Sequence, residues 1–334
     1  MKLRNQIMQF ILIGMIFFSC ESNRLQVDIP ESNLEIDFIY ADETLKKLSK
    51  ADLIEKNEIF LKQFDPIYTF EWQNNLRINN QDSISVKTYQ FYQSDYIRAL
   101  EVEKTKLIPQ VKNKEKDVNR AFNFYRYYFP QKTVPREIIY MNKLFSNINC
   151  SDSAITVALE SYLNPALEVI QSIPNNQLYK WQREKMELEY LPRDILSNWI
   201  QVQLFEELDK SLAAHIVQAG KILYLVNATF PYRSEQYILR YSNSDYDWAK
   251  QNEFSAWEFL VREELLFKNN MRDKANWLND GPTTLGLSKE SPDRMGQYLG
   301  YKMVKKFMQE NKEVSLTDLL EIKYNEILQA YEID

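Results

Sequence analysis

The chain of 334 residues carries 45% apolar and 26% charged residues and a net charge of −6, ordinary globular usage with enough apolar mass to bury a core. Its scarcities exclude more: one histidine, His215, cannot make the H-E-x-x-H zinc motif, which needs two imidazoles a helical turn apart, and six glycines spell neither G-x-G-x-x-G nor a P-loop. The acidic balance also argues against a nucleic-acid partner, whose phosphates demand a basic face.

Lys2 and Arg4 open the chain, and Ile7 to Phe18 form an apolar run, the length of a signal-peptide core and too short for a spanning helix. Ser19-Cys20 closes it, resembling the lipobox at which bacterial signal peptidase II cuts and the cysteine is lipidated. The expectation is a signal peptide over 1–19, an acylated Cys20 and a short polar tether over 20–33. Removing 1–19 takes two cations away and brings the net charge to about −8, so lipid, not a basic patch, is expected to hold the protein at its membrane. Cys150 is then the sole thiol left. No intramolecular disulfide can form, and a lone cysteine far from the histidine reads as a small buried hydrophobe.

After the tether, Leu34, Ile36, Phe38 and Tyr40 alternate at a strand period. Helical spacing follows over 43–64, 82–106 and 111–129, with Leu45, Leu48, Leu53 and Phe60 in the first stretch and Val111, Val118, Phe122, Tyr125 and Phe129 in the last. Phe129-Pro130 ends that helix, because proline disfavours α geometry in the residue before it. Glu137 to Met141 and Ala154 to Leu159 read as a hairpin or as neighbouring strands across a turn-like stretch. From Pro192 the chain is helical almost throughout. Leu208, Leu212, Ile216, Gly220, Leu223, Tyr224 and Asn227 mark a long helix closed by Pro231; Ser244 to Asp247 read as the cap of a helix running through Trp248, Trp257 and Leu260; Ser291-Pro292-Asp293 read as a third helix start.

Beyond Gly14, every glycine lies between 220 and 300. Gly220 sits inside a helix, where it costs about 1 kcal/mol against alanine. Gly296 and Gly300 fall one turn apart on a face with Met303, Val304 and Phe307, suited either to tight helix packing or to a crevice floor. Together, Gly220-Lys221-Ile222-Leu223-Tyr224, Asn252-Glu253 followed by Trp257, Gly281-Pro282 and the run Ser291 to Val304 resemble the gliding-motility GldB lipoproteins of Bacteroidetes. That resemblance implies a cell-envelope lipoprotein, lipid-anchored and facing the periplasm, with motility or type IX secretion proteins as partners. It also implies a distant likeness to predicted zinc proteases that carry H-E-x-x-H on the long helix. Here that helix reads His215-Ile216-Val217-Gln218-Ala219, with Ala219 where the second ligand would stand, so no metal and no cofactor are expected.

The resulting expectation is a mostly α, α+β single domain over 34–334, zincin-like in arrangement, with a few short strands in the N-terminal half. The candidate crevice is Gly220, Lys221, Glu253, Arg294, Gly296, Gly300 and Tyr301, in which Glu253 would pair with Lys221 and Arg294. The expected role is non-catalytic, through protein contacts. The alternatives are a hydrolase using carboxylates, drawn from Glu206, Glu207, Asp209, Glu253, Glu258, Glu263 and Glu264, or a lipoprotein that binds a small ligand or a peptide.

Overall fold

The computed structural model describes residues 24–30, 34–79, 83–146, 148–206 and 210–331. Cys20, the signal segment, Glu207, Leu208 and Asp209 lie outside the described residues, as does the side chain of Phe60. The chain is α+β and mostly helical. Among the described residues one sheet contains β1 (Asp37–Tyr40), β2 (Glu137–Met141), β3 (Asn149–Cys150) and β4 (Ala154–Ala158), in the order β1-β2-β4-β3.

β1, β2 and β4 run parallel, with Asp37 beside Glu137 and Glu137 beside Ala154. The two segments expected as a hairpin or as neighbours are parallel neighbours. The hairpin joins β3 to β4 instead, across a turn in which the Ser151 hydroxyl accepts the backbone N–H groups of Ser153 and Ala154. A strand buried on both faces must be apolar throughout. In β2, Ile138 and Tyr140 face one core, while Ile139 and Met141 face a second core built with Leu45, Leu53, Tyr68, Trp72 and Tyr92, as the two-residue period of a strand requires.

Among the helices, those that position the regions described below are α1 (Asp95–Tyr128), α2 (Leu191–Leu204), α3 (Leu212–Thr229), α4 (Glu253–Arg262) and α5 (Met295–Glu310). The sequence suggests a break between 106 and 111, yet α1 runs unbroken through Pro109 for 34 residues. Proline removes one backbone hydrogen bond, but Leu100, Lys104, Val111, Val118, Phe122 and Tyr125 bury a continuous stripe on both sides of it. The break falls at Ser94, whose ψ of 132° leaves helical geometry. Phe129 does end α1, and Pro192 lies in the first turn of α2.

α3 is buried on nearly every side, which makes it the central helix of the domain. Two helix starts differ from expectation. Ser242, not Ser244, caps the helix Asn243–Gln251 through a reciprocal box with Asp245, and the chain bends at Asn252 before α4 begins. α5 starts at Met295, after Arg294 in a left-handed conformation (φ 55°), because Asp293 is engaged elsewhere and Ser291 makes no cap.

The stretch expected as a free tether over 20–33 is partly docked. Arg24 donates to the carbonyls of Met308 (2.9 Å) and Val314 (2.6 Å), Leu25 is buried in the main core, and Gln26 donates to Pro231. The carbonyls of the last turn of a helix and those just beyond it have no intrahelical donor. Arg24 supplies one from the far end of the chain.

Candidate functional site

The glycines bring helix backbones into contact. A Cβ on Gly220 would stand 2.1 Å from the carbonyl oxygen of Gly300, and one on Gly300 would stand 2.0 Å from that of Ile216. Gly296 faces the Trp277 carbonyl, 2.7 Å from where its Cβ would be. α3 and α5 therefore meet without side chains between them, and of the two readings of these glycines the structure has the tight packing. No crevice floor lies there.

The charged residues assigned to that crevice separate into three places. Lys221 donates to the carbonyls of Leu320 (3.1 Å) and Ile322 (2.6 Å), closing the short helix Leu316–Glu321. Burial pulls its ammonium down to about 8. Glu253 accepts from the hydroxyls of Tyr298 (2.7 Å) and Tyr331 (2.5 Å) and pairs with neither Lys221 nor Arg294, contrary to expectation. The buried Tyr301 hydroxyl accepts from Asn227 at 2.9 Å. Arg294 contacts Asp280 (3.1 Å) and Asp293 (3.2 Å), donates to the Arg240 carbonyl, and lies 5.4 Å from the centre of the Tyr241 ring.

Arg294 marks the edge of a site that the sequence did not reveal. An open groove of about 820 Å³ runs between the segment before α2, the segment after α3 and the turns before α5. Its wall alternates cations with aromatic rings. Arg240 lies 5.3 Å over Tyr190, Tyr190 stacks on Tyr237 at 5.6 Å, and Arg233 lies 4.8 Å over Tyr237; each such pair contributes about 0.5–2 kcal/mol, depending on how dry it is. Behind the wall, Asp194 gathers Arg193 (3.1 Å), Arg240 (3.2 Å) and the Tyr162 hydroxyl (2.9 Å). Lys185 joins Asp280 at 3.0 Å and also binds Asp293. Burial works against the charge on Glu189, but Lys114 and Arg233 outweigh it and hold its carboxyl below the usual range. Arg294 and Lys185 do the same, more strongly, for Asp280. The traceable signal was the run Tyr232 to Tyr241, which packs three tyrosines and two arginines into ten residues.

Arg294→Ala is expected to lower stability by about 2 kcal/mol. The loss stays moderate because Asp293 keeps Lys185 and Asp280 is half exposed. Thermal unfolding measures it, and an unchanged midpoint would mean that the arginine is dispensable to the scaffold.

A second polar cluster sits where the parallel strands end. Lys104 is buried against Asp42, Glu101 (2.8 Å) and Glu160 (3.8 Å), and Tyr92 donates to Asp42. Glu160 accepts the backbone N–H groups of Lys143 (2.7 Å) and Phe145 (3.1 Å), bracketing Leu144 and Phe145, both at positive φ. Burial, and then the charge of Asp42, push Glu101 up to about 7. Cys150 is half-buried nearby, and burial pushes its thiol up to about 12, which leaves it unreactive at neutral pH.

The profile of the gliding motility protein GldB matches residues 22–332, spanning both clusters, the groove and the glycine contact. The chain belongs to the GldB family. No curated protein and no solved structure was found to match it. Within this GldB fold, His215 sits partly buried on α3 with Nδ1 2.9 Å from the Ser211 carbonyl. Among the described residues no group of three or more His, Cys, Asp or Glu side chains is placed to hold a metal ion. No helix among them is long and apolar enough to cross a membrane.

Proposed function

We propose that this GldB-family protein is a non-catalytic component of the gliding machinery, anchored in the cell envelope through an acylated Cys20 and acting through protein contacts made at the groove beside Tyr190, Arg233, Tyr237 and Arg240. The family match over nearly the whole chain carries this reading. The character of the groove favours contact over hydrolysis. Glycoside-type chemistry needs one carboxylic acid held protonated at neutral pH, whereas Glu189 at the groove wall is held ionised by Lys114 and Arg233, and Asp280, paired with the groove's Lys185, is held ionised by its cations. The carboxyls that burial does raise, those of Glu101, Glu115 and Glu160, do not line the groove.

Replacing the anchor residue tests the reading. Cys20→Ala should leave an uncleaved precursor or shift the protein from the membrane to the soluble fraction, and in either case abolish motility in a gliding host. Crosslinking of the unmodified protein in such cells should capture envelope motility proteins. A Cys20→Ala protein that is processed, membrane-bound and functional would overturn the anchor.

A further inference from the structure

We propose that the face on which α1, α3 and α5 end rests on the membrane, with Tyr127, Tyr232 and Arg120 against the lipid headgroups. This rests on acylation of Cys20. Only Glu21, Ser22 and Asn23 separate that residue from Arg24, so the two Cα atoms lie at most about 14 Å apart. Arg24 is fixed at the end of α5 by Met308 and Val314. Leu25 beside it accepts from the Tyr128 hydroxyl in the last turn of α1, and Gln26 donates to Pro231 just past α3. The lipid anchor therefore emerges at the C-terminal ends of three long helices.

The residues around that exit suit a headgroup layer. Tyr127 is 52% and Tyr232 55% exposed. Tyr127 packs on Tyr128 at 5.1 Å, and Arg120 lies 5.6 Å from the Tyr232 ring centre. Tyrosine favours the interface because its ring is apolar and its hydroxyl wet, and arginine attracts lipid phosphates. Phe267 is more exposed, at 71%, and is the natural rival contact. It sits at the opposite end of α3, where the Leu212 and Ala213 amides donate to Lys268 and Leu266. The 18 residues of α3 set that end about 27 Å away, beyond the reach of a three-residue link. Because Tyr232 also lines the groove, the groove would open beside the bilayer.

The test uses the acylated full chain, reconstituted into phosphatidylethanolamine–phosphatidylglycerol vesicles that carry a nitroxide on the headgroup. In a Cys150→Ser background, a bimane is placed at Tyr232→Cys, at Tyr127→Cys as a second site should the first variant fail to fold, or at Phe267→Cys. Quenching at 232 or 127 should exceed that at 267 several-fold. Vesicle-bound protein quenched equally or more at 267 overturns the orientation alone. Protein that floats free of vesicles with an unmodified Cys20 overturns the anchor, and the orientation with it.

Discussion

Gly300→Ala is expected to cost about 3 kcal/mol or more, at or beyond the upper end of overpacking substitutions, and to lower the thermal midpoint by roughly 5–10 °C. The added methyl would lie 2.0 Å from the Ile216 carbonyl oxygen and 3.1 Å from the Gly220 nitrogen. Both are backbone atoms of a helix buried on nearly every side, so no rotamer change relieves the clash. α3 and α5 would have to separate along their shared length. Gly281→Ala is the matched control: its methyl would meet only the Thr283 carbonyl, at 3.5 Å, and its stability should stay within about 0.5 kcal/mol of the parent. Equal midpoints for the two variants would refute the backbone contact.

Lys104→Met is expected to cost about 3–5 kcal/mol, the usual result of deleting one side of a buried ion network. Asp42, Glu101 and Glu160 would lose their shared cation, with Lys46 left 3.9 Å from Glu101 and the charge of Lys143 acting on Glu160. The loss should grow with pH, because a carboxylate without its cation can recover by taking up a proton. Glu101 gives the parent protein a related dependence. Its folded carboxyl titrates near 7 against 4.5 for an ordinary glutamate, so between those values the folded state holds a proton that the unfolded state has released. The contribution is fully present below pH 4.5 and is lost as pH rises through about 7. Glu101→Gln, which cannot ionise, should therefore gain in midpoint relative to the parent on going from pH 5 to pH 8. A difference between the two proteins that stays flat across that range would show that Glu101 is already ionised in the fold.

What the sequence made legible was local. The strand at Phe38 to Tyr40, the end of α1 at Phe129 and the start of α2 at Pro192 each follow from a few neighbouring residues, and each is where the periodicity or the proline puts it. The glycines at 220, 296 and 300 marked a close approach of backbones, but spacing alone did not say whether the approach left a gap. The groove was hidden because its parts come from three segments, around Lys185, around Tyr237 and around Asp293. The pairing of Glu253 with Lys221 and Arg294 failed for the same reason: two tyrosine hydroxyls, one of them 78 residues away, take up its carboxylate. Pro109 misled because a proline's local cost was outweighed by a buried stripe extending on both sides of it.

The docking of Arg24 also bears on the order in which the molecule can assemble. Its bonds to Met308 and Val314 span 284 and 290 residues, and the Gly220–Gly300 contact spans a long loop of its own. Contacts that close large loops are entropically expensive and tend to slow folding. A chain emerging from its N-terminus cannot finish its core until the segment beyond α5 has appeared. Until then the flank of α3 that meets α5 stays uncovered, so the half-made chain would offer chaperones a hydrophobic surface that the finished protein conceals.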